Sequence, residues 1–173
     1  ILEKDGQDAL FIVGCQAGTY IRKLIHDLGQ KLRIGAHMQE LRRTKAGPFN
    51  ESTLFTLQDL ADAYHFFKEE NNDRFIKKII QPVESAVAHL PKIWVFDTTI
   101  DTLCHGANLN NPGISKLNTG IKENDIVAIM SLKEELVALG TAKADSENIL
   151  SKEKGIAAKT DKVFMLPGTY KNK

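Results

Sequence analysis

The chain has 173 residues, 42% of them hydrophobic and 26% charged, with a net charge of +1 and two cysteines. That balance supports one large or two small globular domains and argues against a disordered polymer. No apolar run approaches the roughly 20 residues of a membrane-spanning helix, and no signal peptide opens the chain, so a cytoplasmic protein without membrane attachment is expected.

Cys15 and Cys104 lie far apart with no C-x-x-C partner, so neither a disulfide framework nor a zinc site is expected, and both read as small buried hydrophobes. Leu10 to Val13 reads as a strand reached almost at once, so the first residues look like the middle of a domain whose upstream part is left out. Tyr20, Leu24, Leu28 and Leu32 recur at fourfold spacing, which predicts an amphipathic helix capped by Thr19 and ended by Gly35. His37 to Thr44 then reads as a strand, whose alternation would send Arg42 and Arg43 to opposite faces. Between Arg22 and Lys45 seven basic residues face only Asp27 and Glu40. That surplus suits either a phosphate backbone or a solvated helix face followed by a charged strand.

Thr56 with Asp59 resembles a capping signal for a helix carrying Leu57, Leu60, Ala61, Tyr64 and Phe67. Lys68 to Arg74 reads as a solvated loop, and Phe75 to Ile80 and Val83 to Leu90 as short helices, the second opened by Pro82. From Lys92 the texture changes to short β-branched runs, Ile93 to Phe96, Asp125 to Met130, Leu136 to Ala144, Gly155 to Thr160 and Val163 to Met165. They suggest a small barrel, interrupted by a helix from Thr98 to His105 and a loop with Gly106, Pro112 and Gly113. The class is therefore α+β, with residues 1–90 and 91–173 as separate domains and a tail, Gly168 to Lys173, disordered beyond its first residues.

Gly18-Thr19-Tyr20-Ile21-Arg22, His26-Asp27-Leu28-Gly29, Gly35-Ala36-His37-Met38, Leu41-Arg42-Arg43-Thr44 and Gly47-Pro48-Phe49, in this order, closely resemble the TruB/dyskerin pseudouridine synthase family. The second half resembles a PUA RNA-binding domain through Cys104-His105-Gly106-Ala107, Pro112-Gly113-Ile114-Ser115-Lys116 and Gly120-Ile121. The segment from Pro82 to Pro91 and the Pro-Gly-Ile-Ser-Lys loop look more like the archaeal branch guided by H/ACA RNA than like the stand-alone enzyme acting on transfer RNA.

The resemblance implies isomerisation of uridine to pseudouridine in rRNA or tRNA, on a base flipped from its strand and attacked with help from an aspartate, with no metal or organic cofactor. Arg22 matches the family arginine that holds that aspartate, a role suited to a permanently charged, bidentate guanidinium. Tyr20 would line the active-site wall. Taken on spacing alone, Arg22 would be a surface ion pair. His26 and His37 read as core or cap histidines.

Nothing before Gly18 resembles the family's aspartate segment, and Asp27, five residues beyond Arg22, faces elsewhere, so the 173 residues alone are expected to be inactive. For the second half, the resemblance implies that His105, Gly106, Ala107, Leu109, Pro112, Gly113, Ile114 and Lys116 form the RNA-reading edge. Either Arg42 or Arg43 would add a contact on a given face. Lys159 and Lys162 would meet phosphate or solubilise an edge strand. Expected partners are a guide RNA ending in ACA, the substrate RNA and small H/ACA proteins. A noncatalytic RNA-binding scaffold and a stand-alone tRNA enzyme are the competing readings.

Overall fold

The computed structural model describes residues 1–170, which separate into two compact units, one over residues 1–43 and the other from residue 44 onward. In the first, β1 (Glu3–Asp5) and β2 (Asp8–Leu10) form a hairpin around Gly6, whose φ of +55° suits a residue without Cβ. The strand expected over Leu10 to Val13 therefore ends where it was to begin. Helix α1 (Ile21–Leu32) starts after Tyr20 rather than Thr19, and no side chain caps it.

The helix stops before the expected Gly35. Arg33 takes the left-handed conformation, and the N–H groups of Ile34 and Gly35 both donate to the Gly29 carbonyl. Gly29 is obligatory here, because a Cβ would lie 2.2 Å from the Ala36 nitrogen. The buried line of α1 is thus Ile25 and Gly29, while the fourfold stripe of Leu24, Leu28 and Leu32 remains exposed. Residues 37–44 form no strand, and no strand among the described residues pairs with them. Alternation therefore cannot decide which way Arg42 and Arg43 point. Cys15, expected inside, is exposed, as are His26 and His37.

The second unit opens with the hairpin of β3 (Lys45–Ala46) and β4 (Phe49–Asn50). Helix α2 (Leu57–Glu70) begins with the full reciprocal box expected of Thr56 and Asp59, in which each side chain meets the other residue's backbone N–H. It continues through Lys68–Glu70, which were expected to be loop, because Asn71 supplies the left-handed cap. Helix α3 (Arg74–Ile79) packs back on it with the Phe66 and Phe75 rings 5.2 Å apart. The buried face of α2 carries Ala63, whereas Leu57, Leu60, Tyr64 and Phe67 face solvent. Val83–Val87 coils as a 3-10 segment in place of a longer helix.

Beyond Pro91 come β5 (Lys92–Val95), α4 (Asp97–Cys104), β6 (Leu109–Asn110), a 3-10 turn over Asn111–Gly113, β7 (Ile114–Leu117), β8 (Ile126–Met130), β9 (Leu136–Ala142), α5 (Ser146–Ser151) and β10 (Ile156–Val163). They build a nearly barrel-shaped mixed sheet in the order β6-β10-β9-β8-β5-β7, with β5 parallel to β8 and the other pairs antiparallel. The α+β class expected from the sequence holds. The two last runs merge into β10, whose register shifts between Thr160 and Lys162. β10 pairs with β9 along its length and with the short β6 only at Ile156 and Ala158, which leaves Lys159 and Lys162 beyond β6.

Ile93, Val95, Ile100, Leu103, Leu109, Ile121, Val127 and Val137 are fully or almost fully buried at the centre of this unit. Each such side chain stabilises the fold by about 1.5–3 kcal/mol. A satellite cluster joins Val87 to Ala128, Met130 and Leu136, and the Glu84 carboxylate accepts the Leu136 N–H at 2.9 Å. The segment before Pro91 is thereby fastened to the sheet. At the other end Tyr170 packs against the core, so order persists to the last described residue, and the expected disordered tail falls on Lys171 to Lys173, outside the described residues.

Candidate nucleic-acid interface

In the first unit Tyr20 is 82% exposed just ahead of α1, and Arg22 is exposed one residue into it. One turn on, Asp27 is claimed by Lys23 and, more weakly, by His26 at 3.4 Å. The Lys23 hydrogen bond, followed by that of His26, holds the Asp27 carboxyl below its usual range. Asp27 is thus occupied on its own helix, in keeping with the expectation that it does not serve Arg22.

In the second unit α4 ends at Cys104 and places His105 as its C-terminal cap. Gly106 turns the chain with φ +86°, a conformation that disfavours any side chain, and its N–H donates to Leu103. Ala107 and its neighbour Asn108 are held from β10: the Thr160 hydroxyl donates to the Ala107 carbonyl at 2.7 Å, and the Thr160 N–H to the Asn108 side chain at 3.2 Å. His105, Gly106 and Ala107 therefore present one exposed, well-tied edge.

Three of the expected RNA-contacting residues make close contacts within the protein. Leu109 is wholly buried and supports that edge from beneath. Gly113 sits against Thr99 on α4, whose side chain would lie 2.7 Å from an added Cβ. Lys116 lies over the Trp94 ring, 4.4 Å from its centroid, and 3.8 Å from Glu134, which also accepts the Trp94 indole N–H. The lysine remains 57% exposed, so these contacts lie at the surface of the unit.

Pro112 and Ile114 line a cleft of about 320 Å³ together with Asn111, Ser115 and Leu117, closed on the far side by Ile149, Leu150, Lys152 and Glu153. The far wall was missed in the sequence because α5 is only six residues long. Its signal was present in Asp145, whose carboxylate caps the helix by accepting the Asn148 N–H at 2.8 Å. Asn111 ties the two walls together, donating to the carbonyls of Ile149 and Lys152. The result is a partly apolar slot lined by one cation and one carboxylate, Lys152 and Glu153, a chemistry suited to a stacked base.

Among the described residues no group of three or more potential metal ligands gathers, and no helix is long and apolar enough to cross a membrane. The sequence matches the tRNA pseudouridylate synthase B C-terminal domain over residues 22–88 and the PUA domain over residues 91–164. The protein named "Probable tRNA pseudouridine synthase B" of Pyrococcus abyssi is 58% identical over 166 residues, 95% of this chain and 50% of its own length. The protein of that name from Nanoarchaeum equitans is 54% identical over 170 residues, 98% of this chain and 49% of its own. The chain thus spans about half the length of these relatives.

Among solved structures, Cbf5 in the archaeal box H/ACA Nop10-Cbf5 complex superposes with a TM-score of 0.86 at 56% identity, over 90% of this chain and 50% of that one. A Cbf5-Nop10-Gar1 complex gives 0.85 at 55% identity, over 90% and 48%.

Proposed function

Because the chain belongs to the TruB/dyskerin family of pseudouridine synthases, we propose that it is part of an RNA-guided pseudouridine synthase, acting on rRNA or tRNA within an H/ACA ribonucleoprotein. The observation that carries this reading is the pairing, in one chain, of an exposed Arg22 at the head of α1 with a PUA unit that presents a tied edge and a base-sized cleft. The likeness to Cbf5 in complexes named for Nop10 and Gar1 supports partners of that kind. In this reading the protein works in the cytoplasm.

In this reading residues 1–90 belong to the catalytic domain and residues 91–173 to the RNA-binding domain, with Glu84 and Val87 bracing one against the other. Arg22 holds the carboxylate of the nucleophilic aspartate, keeping it ionised and aimed, while Tyr20 lines the wall beside the flipped uridine. The step is an isomerisation, in which the glycosidic C–N bond breaks and a C–C bond forms to the same base, so atoms balance without an external reductant or oxidant. His105, Gly106, Ala107, Pro112 and Ile114 contact the guide's terminal ACA, and Arg42 or Arg43 tracks phosphate.

The name carried by the relatives favours a second reading, a tRNA enzyme working without a guide. Binding of the full chain to a guide-like hairpin ending in ACA, and to the same hairpin with that triplet altered, across a salt series, tests the first reading. Loss of affinity on altering the triplet is expected. Equal, steeply salt-dependent binding to both would reduce the site to phosphate attraction.

A further inference from the structure

The turn between β8 and β9, Ser131 to Glu135, is tied to parts of the chain far from it in sequence. Ser131 is wholly buried, and its hydroxyl oxygen accepts the N–H groups of Lys133 and Glu135, each at 3.2 Å, while the hydroxyl donates to the Glu135 carboxylate at 2.9 Å. The same carboxylate oxygen accepts the Tyr170 hydroxyl, from the C-terminal segment. Glu134 accepts the Trp94 indole N–H from β5 at 2.9 Å and holds a φ of +65°, a conformation uncommon for a residue with a side chain. A backbone kept there is held by its surroundings, and here the holding contacts come from several elements.

The peptide unit that joins Glu135 to Leu136 is where two of these ties meet. Its carbonyl accepts the Ser131 N–H at 2.9 Å, inside the turn, and its N–H donates to the Glu84 carboxylate at 2.9 Å, outside it. A peptide unit is planar and turns as one body, so a change on its carbonyl side re-aims its N–H. The C-terminal residues 164–170 are fastened at points: the Gly168 N–H donates to Asp101 at 2.9 Å and Tyr170 meets Glu135, while Leu166 between the core-packed Met165 and Tyr170 is 76% exposed.

We propose that residues 164–170 form a releasable strap, and that opening its Tyr170 latch loosens the Glu84 brace through the Glu135-Leu136 peptide. The C-terminal segment thereby controls how firmly the stretch before Pro91 is held to the sheet. The two-state element is the turn, closed by Ser131 and Glu135 when Tyr170 is in place and slackened when it leaves. Coupling of this kind is reciprocal, so releasing the brace also loosens the strap.

The test is amide hydrogen exchange of the full-length protein read at single residues. Tyr170→Phe keeps the ring and removes only the hydroxyl. It is expected to speed exchange of the Gly168 and Leu136 amides about tenfold, the scale of one lost hydrogen bond to a charged group, with Val127 in the buried centre of β8 unchanged. Glu84→Leu should in turn speed exchange at Gly168. If Tyr170→Phe speeds Gly168 alone and Leu136 keeps its wild-type rate, strap and brace are independent and the proposal falls. It falls equally if Gly168 is unaffected, since the latch then holds nothing, or if Val127 speeds up as much as Leu136, since the change is then global unfolding.

Discussion

The Tyr170 hydroxyl donates to the Glu135 carboxylate, closing the C-terminal segment over the β8-β9 turn. Tyr170 first, and then the Ser131 hydroxyl, hold the Glu135 carboxyl below its usual range, while Lys133 lies 5.0 Å from the Tyr170 ring centroid and adds to the same effect. A carboxyl whose pKa is depressed by folding contributes stability that is present above its unfolded value and is lost as pH falls through its folded one. The difference in melting temperature between wild type and Glu135→Gln should therefore be clear at neutral pH and vanish in acid. A difference that grows on acidification would contradict the assignment.

Glu84 and Leu136 make a second long-range link. Leu136 is 3% exposed, so removing the carboxylate that accepts its N–H leaves a buried donor unpaired. Glu84→Leu should cost about 1–3 kcal/mol, read in thermal unfolding as a fall of roughly 2–10 °C. Glu84→Gln, which retains an acceptor, should recover most of it.

Lys116 and Lys152 should behave differently toward RNA. Lys116 is engaged by Trp94 and Glu134, whereas Lys152 lines the cleft with Glu153 beside it. Lys152→Ala should reduce the slope of log affinity against log salt by about 1, the signature of one lost phosphate contact, and Lys116→Ala should change it much less. The reverse order would put the phosphate track on β7.

Arg22→Lys should leave guide binding intact and lower pseudouridine formation by the full-length protein about a hundredfold or more, since an ammonium cannot hold a carboxylate bidentately. Single-turnover assays beside binding isotherms would separate the two effects. Wild-type turnover in the variant would leave Arg22 as an ordinary surface cation.

Much of this was legible in the sequence because some signals are local. The Thr56-Asp59 box needs only four residues, and the short β-branched runs after Lys92 announce a β-rich unit whatever their pairing. What failed depends on distant neighbours. The His37 to Thr44 run has strand composition but no ladder among the described residues, and a strand is defined by its partner. Leu109, Gly113 and Lys116 sit in a stretch that resembles an RNA-reading loop, and their contacts with the core, Thr99 and Trp94, all outside that loop, could not be read from it. The far wall of the cleft was hidden because a six-residue helix carries too little periodicity to register.

The most direct test of guided catalysis is pseudouridine formation by the full-length protein on a target uridine with and without a guide RNA ending in ACA. The account predicts conversion only when the guide is present and its triplet intact. Equal conversion of a transfer RNA with no guide at all would contradict it and identify a stand-alone enzyme.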